Sequence, residues 1–183
     1  MDDPHAHDWP YFCEENAWHR CAGPLGQLDG ASVVFISNAA RSVAVWQQKS
    51  SPDPGQAILW DYHVIFLARR DGLYLAWDPD STLALPTPAS HYLEASLPPL
   101  PAGLEAHAPR FRWLPAALYQ RELKSDRRHM RSAGGEWLKP PPPGACIGEG
   151  SNLMRFVDTQ SEYLGELLDL PALRRRLVPR VLA

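Results

Sequence analysis

The sequence has no apolar run approaching the ~20 residues a membrane-spanning helix needs. Its opening, Met1-Asp2-Asp3-Pro4-His5, is acidic and lacks the apolar core of a secretory signal. Residues 1–10 therefore read as a flexible leader. Cysteine is scarce: Cys13, Cys21 and Cys146 are odd in number and stand at no zinc-ligand spacing. That excludes a disulfide framework and points to free thiols in a reducing, cytoplasmic compartment. Neither sign of charge dominates. With 18 basic and 21 acidic residues the net charge is −3, which gives no footprint for nucleic acid or an anionic membrane. The arginines at 127–131 and 174–176 form short runs that read as solvated faces or helix ends. The seven histidines are scattered, and His5-x-His7 falls in the leader. No metal site and no cofactor is expected. Internal repeats and domain linkers are also missing.

What is present is apolar residue in quantity, 45% of the chain, with seven tryptophans among 183 residues. That suits one domain over 1–183 with a substantial core. The periodicity predicts an α+β fold, an antiparallel β-sheet flanked by helices. Residues 11–22 read as a helix, with Cys13, Ala17 and Cys21 on one stripe and Gly23-Pro24 as its stop. Residues 31–37 read as a strand, 38–41 as a turn and 42–48 as its return. A Pro-rich connection around 86–101 holds one helical turn over 89–96. A short strand at 111–113 and a helix over 115–123 follow. Four prolines at 140–143 read as an extended cover over the fold. A strand within 163–168 precedes a last helix capped by Asp169, with Pro171 early in it.

The most informative stretch is Trp60-Asp61-Tyr62-His63-Val64, continuing into Ile65-Phe66-Leu67-Ala68. Strand alternation puts Asp61, His63 and Ile65 on one face and Trp60, Tyr62 and Val64 on the other, core-facing side. A turn at Arg70-Asp71 and a second strand over 73–78 make a hairpin in which His63 lies directly opposite Asp78. Opposed residues on one face have Cβ atoms roughly 4.5–5.5 Å apart, within reach of a carboxylate–imidazole hydrogen bond. His63 then reads as an oriented base, and a base of that kind needs a nucleophile. Cys13 opens the first helix, where unpaired N–H groups and the dipole favour a thiolate. Cys21, two turns deeper, reads as core. The chain order Cys, His, Asp, with the thiol on a helix N-terminus, is the layout of papain-like and transglutaminase-like enzymes.

The string Trp60-Asp61-Tyr62-His63-Val64 also resembles the hallmark of the protein N-terminal glutamine amidohydrolase family. So do Cys13-Glu14-Glu15-Asn16, Val34-Phe35-Ile36-Ser37-Asn38, Asp78-x-Asp80, Ser125-Asp126-Arg127-x-His129-Met130, and the prolines before Cys146-Ile147. The resemblance covers roughly residues 11–173. It departs from the family in a short leader, a short segment between Phe156 and Gly165, and an unfamiliar end after Leu173. It implies a small monomeric enzyme without cofactor. Such an enzyme deamidates the N-terminal Gln of a protein or peptide to Glu, releases ammonia and feeds an N-degron pathway. Carried over by position, Cys13 is the nucleophile, His63 the base and Asp78 the orienting acid.

A thiolate at Cys13 would attack the carboxamide carbon, His63 would protonate the leaving ammonia, and the thioester would be hydrolysed by water. Selecting a chain terminus requires a group that binds an α-ammonium. Asp61, Asp80, Glu14, Glu15 and Asp126 are the acidic candidates. His129 reads as a structural hydrogen-bonding node, and Cys146 either lines the cleft or does not. Two rival readings remain at this level: a thiol deamidase or protease acting at an internal site, and a module that binds N-termini without turnover.

Overall fold

A computed structural model describes residues 8–53 and 55–178. Among these described residues, eight strands and five α-helices build an α+β fold. Strands β1 (Ser32–Ser37), β2 (Val43–Val45), β3 (Ile58–Trp60), β4 (His63–Arg70) and β5 (Leu73–Trp77) come first, followed by β6 (Thr87–Pro88), β7 (Arg110–Pro115) and β8 (Glu166–Leu168). Six of them form one antiparallel sheet in the order β6-β5-β4-β1-β7-β8, and β2 pairs with β3 apart from it. The expected return of 42–48 onto the first strand does not form. Both edges of β1 are taken by β4 and β7, so β2 finds its partner elsewhere.

The central strands are apolar on both sides because both sides are covered. Val33, Phe35, Val64, Phe66 and Ala68 meet helices α1 (Cys13–Ala22), α3 (Ala116–Glu122) and α4 (Leu153–Val157). Val34, Ile36, Ile65 and Leu67 meet α2 (Ala89–Ser96), α5 (Leu170–Arg176) and β2. Asp169 caps α5 through Ala172 N–H, as its position before Pro171 suggests.

The leader and His5-x-His7 lie outside the described residues up to residue 7, but residues 8–10 are not loose. Trp9 exchanges two 2.9 Å hydrogen bonds with the Asn16 side chain, and Asp8 pairs with Arg20. The chain is thereby fastened to α1 immediately before Cys13.

The hairpin tip differs from the expected one. Phe66 pairs with Trp77 and Arg70 with Leu73, so the two turn residues are Asp71 and Gly72, with φ of 51° and 78°. That is the type I′ geometry which Asp-Gly supplies and Arg-Asp does not. The ladder therefore slips by two residues. Continued outward, it would set Asp80, not Asp78, across from His63. An even slip keeps every side chain on its expected face.

Arg112 on β7 is 1% exposed, and among the described residues its guanidinium bonds carbonyls instead of a carboxylate. Its guanidinium donates to the carbonyls of Phe156, Leu164, Asp158 and Ser161, closing the loop between α4 and β8. Gly165 ends that loop with φ +85°, and a Cβ there would meet Trp113 O at 2.5 Å. Arg112→Ala would leave several carbonyls unsatisfied, each costing about 1–3 kcal/mol when buried. We expect a loss of about 3 kcal/mol or more in denaturant unfolding, and a loss below 1 kcal/mol would contradict this role.

Candidate active site

His63 is the first residue of β4, where the sheet ends. Its Nε2 meets Asp78 Oδ2 at 2.9 Å, and both side chains are 1% exposed. Asp78 lies just beyond β5, so the bond runs diagonally instead of straight across the hairpin. Asp78 Oδ2 also accepts from Tyr92 O–H at 2.8 Å and Gln48 Nε2–H at 3.3 Å, while Oδ1 accepts from Asp80 N–H at 3.1 Å. Gln48 in turn accepts from Trp60 Nε1–H at 3.2 Å. The Trp60 ring stacks on the His63 ring, centroids 5.7 Å apart at 16°. This overturns the expected core-facing Trp60. The strand breaks at Asp61 and Tyr62, so Trp60 belongs to β3 and alternation does not carry across. Tyr62 and Val64 do pack in the core beside α1.

The imidazole is thus fixed by a bond at one nitrogen and by stacking on its face. Nδ1 is buried and takes no hydrogen bond from the described residues. Burial works against charge on His63, but the charge and hydrogen bond of Asp78 and the charge of Asp80 outweigh it, and its pKa is raised. Burial likewise opposes charge on Asp78, yet His63, Tyr92 and Gln48 hold its pKa below the usual carboxylate value. Asp80 is pushed up to about 6 by burial and by Asp78, against the pull of His63 and of Tyr11 N–H. Its Oδ2 is buried without a partner among the described residues.

Cys13 opens α1 at 7% exposure, and Phe12 before it supplies no side-chain cap. The thiol does not behave as its helix position alone suggests. Burial and the charges of Glu14, Asp80 and Asp78 raise its pKa well above the ordinary thiol value, against the pull of Val64 N–H. The expected depression is therefore reversed, because burial first, and the charges of three carboxylates after it, outweigh what the helix terminus offers.

Ligand atoms of His63, Asp78 and Asp80 all lie within 4.8 Å of one another, close enough for a metal ion. The donor set argues for another use. His63 Nε2 faces Asp78 Oδ2 at hydrogen-bond distance, and that oxygen is already shared by Tyr92 and Gln48. The chemistry on offer is an imidazole oriented by Asp78, with a buried thiol on α1, which packs against β4.

Residues 9–177 match the N-terminal glutamine amidase family. The chain belongs to that family. It is 36% identical over 173 residues to the protein N-terminal glutamine amidohydrolase of Arabidopsis thaliana, covering 90% of this chain and 77% of that one. To the proteins of the same name from Drosophila ananassae and Drosophila virilis it is 37% identical over 147 residues, covering 78% of this chain and 72% of each of those.

The acidic candidates of this N-terminal glutamine amidase separate cleanly. Glu15 is fully buried and grips Arg127 with both oxygens, at 2.7 and 2.9 Å. Glu14 is fully buried between His129 Nε2 at 3.0 Å and Tyr62 O–H at 3.3 Å, and its Oε2 lies 3.9 Å from Cys13 Sγ. Asp61 is exposed and accepts from Tyr62 N–H. Asp126 is engaged by Arg128. Of the five, Asp80 alone combines a buried unpartnered oxygen with a position beside His63. Cys146 is exposed, and His129 is the node expected of it.

Gln48, Tyr92 and Trp60 are the family member's positioning groups that sequence reasoning missed. Gln48 sits in a loop and Tyr92 in a Pro-rich stretch, and neither carries a local signal of its contact with Asp78. Asp78→Asn removes the charge that sustains the imidazolium and leaves burial dominant. His63 should then titrate below its ordinary value near 6.5. In the unaltered chain it should titrate above that value. Nitrogen-detected NMR titration reads both, and an unmoved midpoint would contradict the coupling.

Proposed function

We propose that this chain hydrolyses the side-chain amide of a glutamine at a free N-terminus, giving glutamate and ammonia. Cys13 is the nucleophile, His63 the proton carrier and Asp78 the group that orients His63, in a papain/transglutaminase-like arrangement. The observation that carries this reading is the His63 ring, with Nε2 held by Asp78 and a buried Nδ1 left without a partner.

The thiol proton passes to His63 Nδ1 as sulfur attacks the carboxamide carbon. Cys13 N–H, at the uncapped start of α1, donates to the oxyanion. Nδ1–H protonates the departing amine, leaving a thioester. Water, deprotonated by the same nitrogen, releases glutamate and restores the thiol. Asp80 Oδ2 takes the substrate's α-ammonium. An internal glutamine or an acetylated terminus cannot fill it, and the carboxylate then stays buried and unpaired. The same reading makes the chain a monomer without cofactor, working in a reducing, cytoplasmic setting and feeding an N-degron pathway. Its three free cysteines are compatible with that setting.

Ammonia should be released from peptides beginning with Gln and not from their N-acetylated copies, with EDTA making no difference. Cys13→Ala should lower the rate by at least about 10⁴-fold. Release from both peptides would point to an internal-site deamidase, and peptide cleavage to a protease. Loss of activity in EDTA would turn His63, Asp78 and Asp80 into a metal site. Binding of the peptide with no ammonia would leave only a recognition module.

The pH dependence follows from the same groups. Asp80 must be ionised to hold the ammonium, so kcat/KM should rise as pH climbs through about 6. It should fall again as the peptide's α-ammonium loses its proton, ordinarily near about 7.7–8.0. Asp80→Asn should cost about 2 kcal/mol or more in kcat/KM. A flat profile between these limbs and below them would contradict the assignment.

A further inference from the structure

A hollow at the far end of the main sheet takes no part in the chemistry described above. His63 opens β4 and Arg69 stands six residues along it, so about 20 Å of strand separates the hollow from the imidazole. Its volume is about 790 Å³, within the range of small-molecule sites. Three of its described lining residues are charged, and all three are arginines: Arg69, Arg175 and Arg176. In a chain of net charge −3, such a concentration of the opposite sign calls for a partner. Two aromatic rings hold the guanidiniums in place. Arg69 lies over the Tyr74 ring at 4.2 Å and Arg176 over the Trp113 ring at 5.3 Å, and the two rings meet edge to face, 5.7 Å apart. Gly30 backs Tyr74 so closely that a Cβ there would meet its Oη at 2.6 Å. A guanidinium lying over a ring keeps its N–H edges for oxygen.

The nearby carboxylates do not use these edges up. Asp29 meets Arg69 Nη1 at 3.2 Å and Glu166 meets Arg176 Nη2, but both acids are more than half exposed and neither lines the hollow. Arg69 is no ordinary surface arginine. Its side chain is 8% exposed, its Nε is buried, and no described residue supplies an acceptor to Nε or Nη2. Those two N–H groups form the edge with which arginine grips an oxyanion by two parallel bonds. A buried cation with that edge unfilled is costly until an acceptor completes it. Arg175 lines the same hollow, is exposed, and has no hydrogen-bond partner among the described residues.

We propose that this hollow is a second binding site, for a small molecule bearing two or more phosphate groups. Arg69 grips one phosphate through Nε and Nη2, and Arg175 and Arg176 meet the next. A single carboxylate would neutralise one of the three cations, whereas a phosphate chain brings charge and oxygens for all of them. The volume suits a small molecule, and the negative charge of the whole chain disfavours a nucleic-acid strand. No catalytic residue lines the hollow, so the site stands apart from the amidase reading.

The test uses the full chain and two probes, inorganic triphosphate and ATP, in magnesium-free buffer. Calorimetry should show one site per chain with a Kd below about 1 mM. Nitrogen-15 NMR should show the Arg69 Nε–H resonance moving downfield as the site fills. Tighter binding of ATP than of triphosphate identifies the ligand as a nucleotide; equal or weaker binding identifies the phosphate chain as the whole of it. Arg175→Glu, a change at an exposed position, should weaken both probes by at least about tenfold. Arg69→Lys keeps the charge, loses the planar edge and should weaken them by a similar factor. The proposal is overturned if neither probe saturates below about 1 mM. It is equally overturned if the Arg69 Nε–H resonance stays in place while a probe binds, or if Arg175→Glu binds as tightly as its parent. The NMR shift and Arg175→Glu leave the buried Arg69 unchanged, so an Arg69 variant that fails to fold leaves the test intact. Ammonia release enters none of these readouts, so failure of the amidase reading would leave them unaffected.

Discussion

His63 and Asp78 share one hydrogen bond at a place almost closed to water, and the local architecture is arranged around keeping it. A buried carboxylate is costly unless its oxygens are satisfied. Tyr92 reaches down from α2, Gln48 comes from the loop after β2, and the backbone of residue 80 turns back to complete the shell. Trp60 closes the imidazole face and bonds Gln48 at its other end. Four separate pieces of chain thus converge on one pair. The small β2–β3 sheet, which adds nothing to the main sheet, earns its place by delivering two of them.

A second buried charge system lies at the start of α1. Glu14 and Glu15 open α1 and are both fully buried, Glu14 against His129 and Glu15 against Arg127. Arg127 also binds the carbonyls of Pro142, Gly144 and Ala145, so one guanidinium ties the proline segment to the helix that carries Cys13. Helix α1 is therefore held through its polar side chains as well as through Ala17 and Cys21. Burial, and after it the charges of Glu14, Asp80 and Asp78, hold the Cys13 thiol's pKa well above its ordinary value.

Much of this was legible in the residues. Period-two patterning located the central strands and Pro and Gly punctuation located the helix ends; the pairing of His63 with Asp78 was expected from a register two residues off and survives because an even slip leaves both on one face. Parity also explains why a wrong turn did no harm to the face assignments: Asp71-Gly72 moved the ladder by two, and side chains alternate with period two. What stayed hidden was long-range. Gln48 and Tyr92 contact Asp78 across 30 and 14 residues of sequence, and such contacts leave no local trace. Glu14 and Glu15 looked like ordinary first-turn acids, whose burial depends on partners more than a hundred residues away. The thiol's environment differs from the expected one for the same reason, since a helix terminus is visible in sequence while burial and the approach of Glu14, Asp78 and Asp80 are not.

The account stands on Cys13 attacking the side-chain carbonyl of a residue anchored by its free amine. The most direct measurement is covalent trapping with a peptide whose N-terminal glutamine carries a diazoketone in place of the amide, followed by mass mapping. The account predicts one label per chain, on Cys13, lost when the peptide is N-acetylated. Labelling of Cys146 instead, or equal labelling of Cys13 by the acetylated peptide, would contradict it.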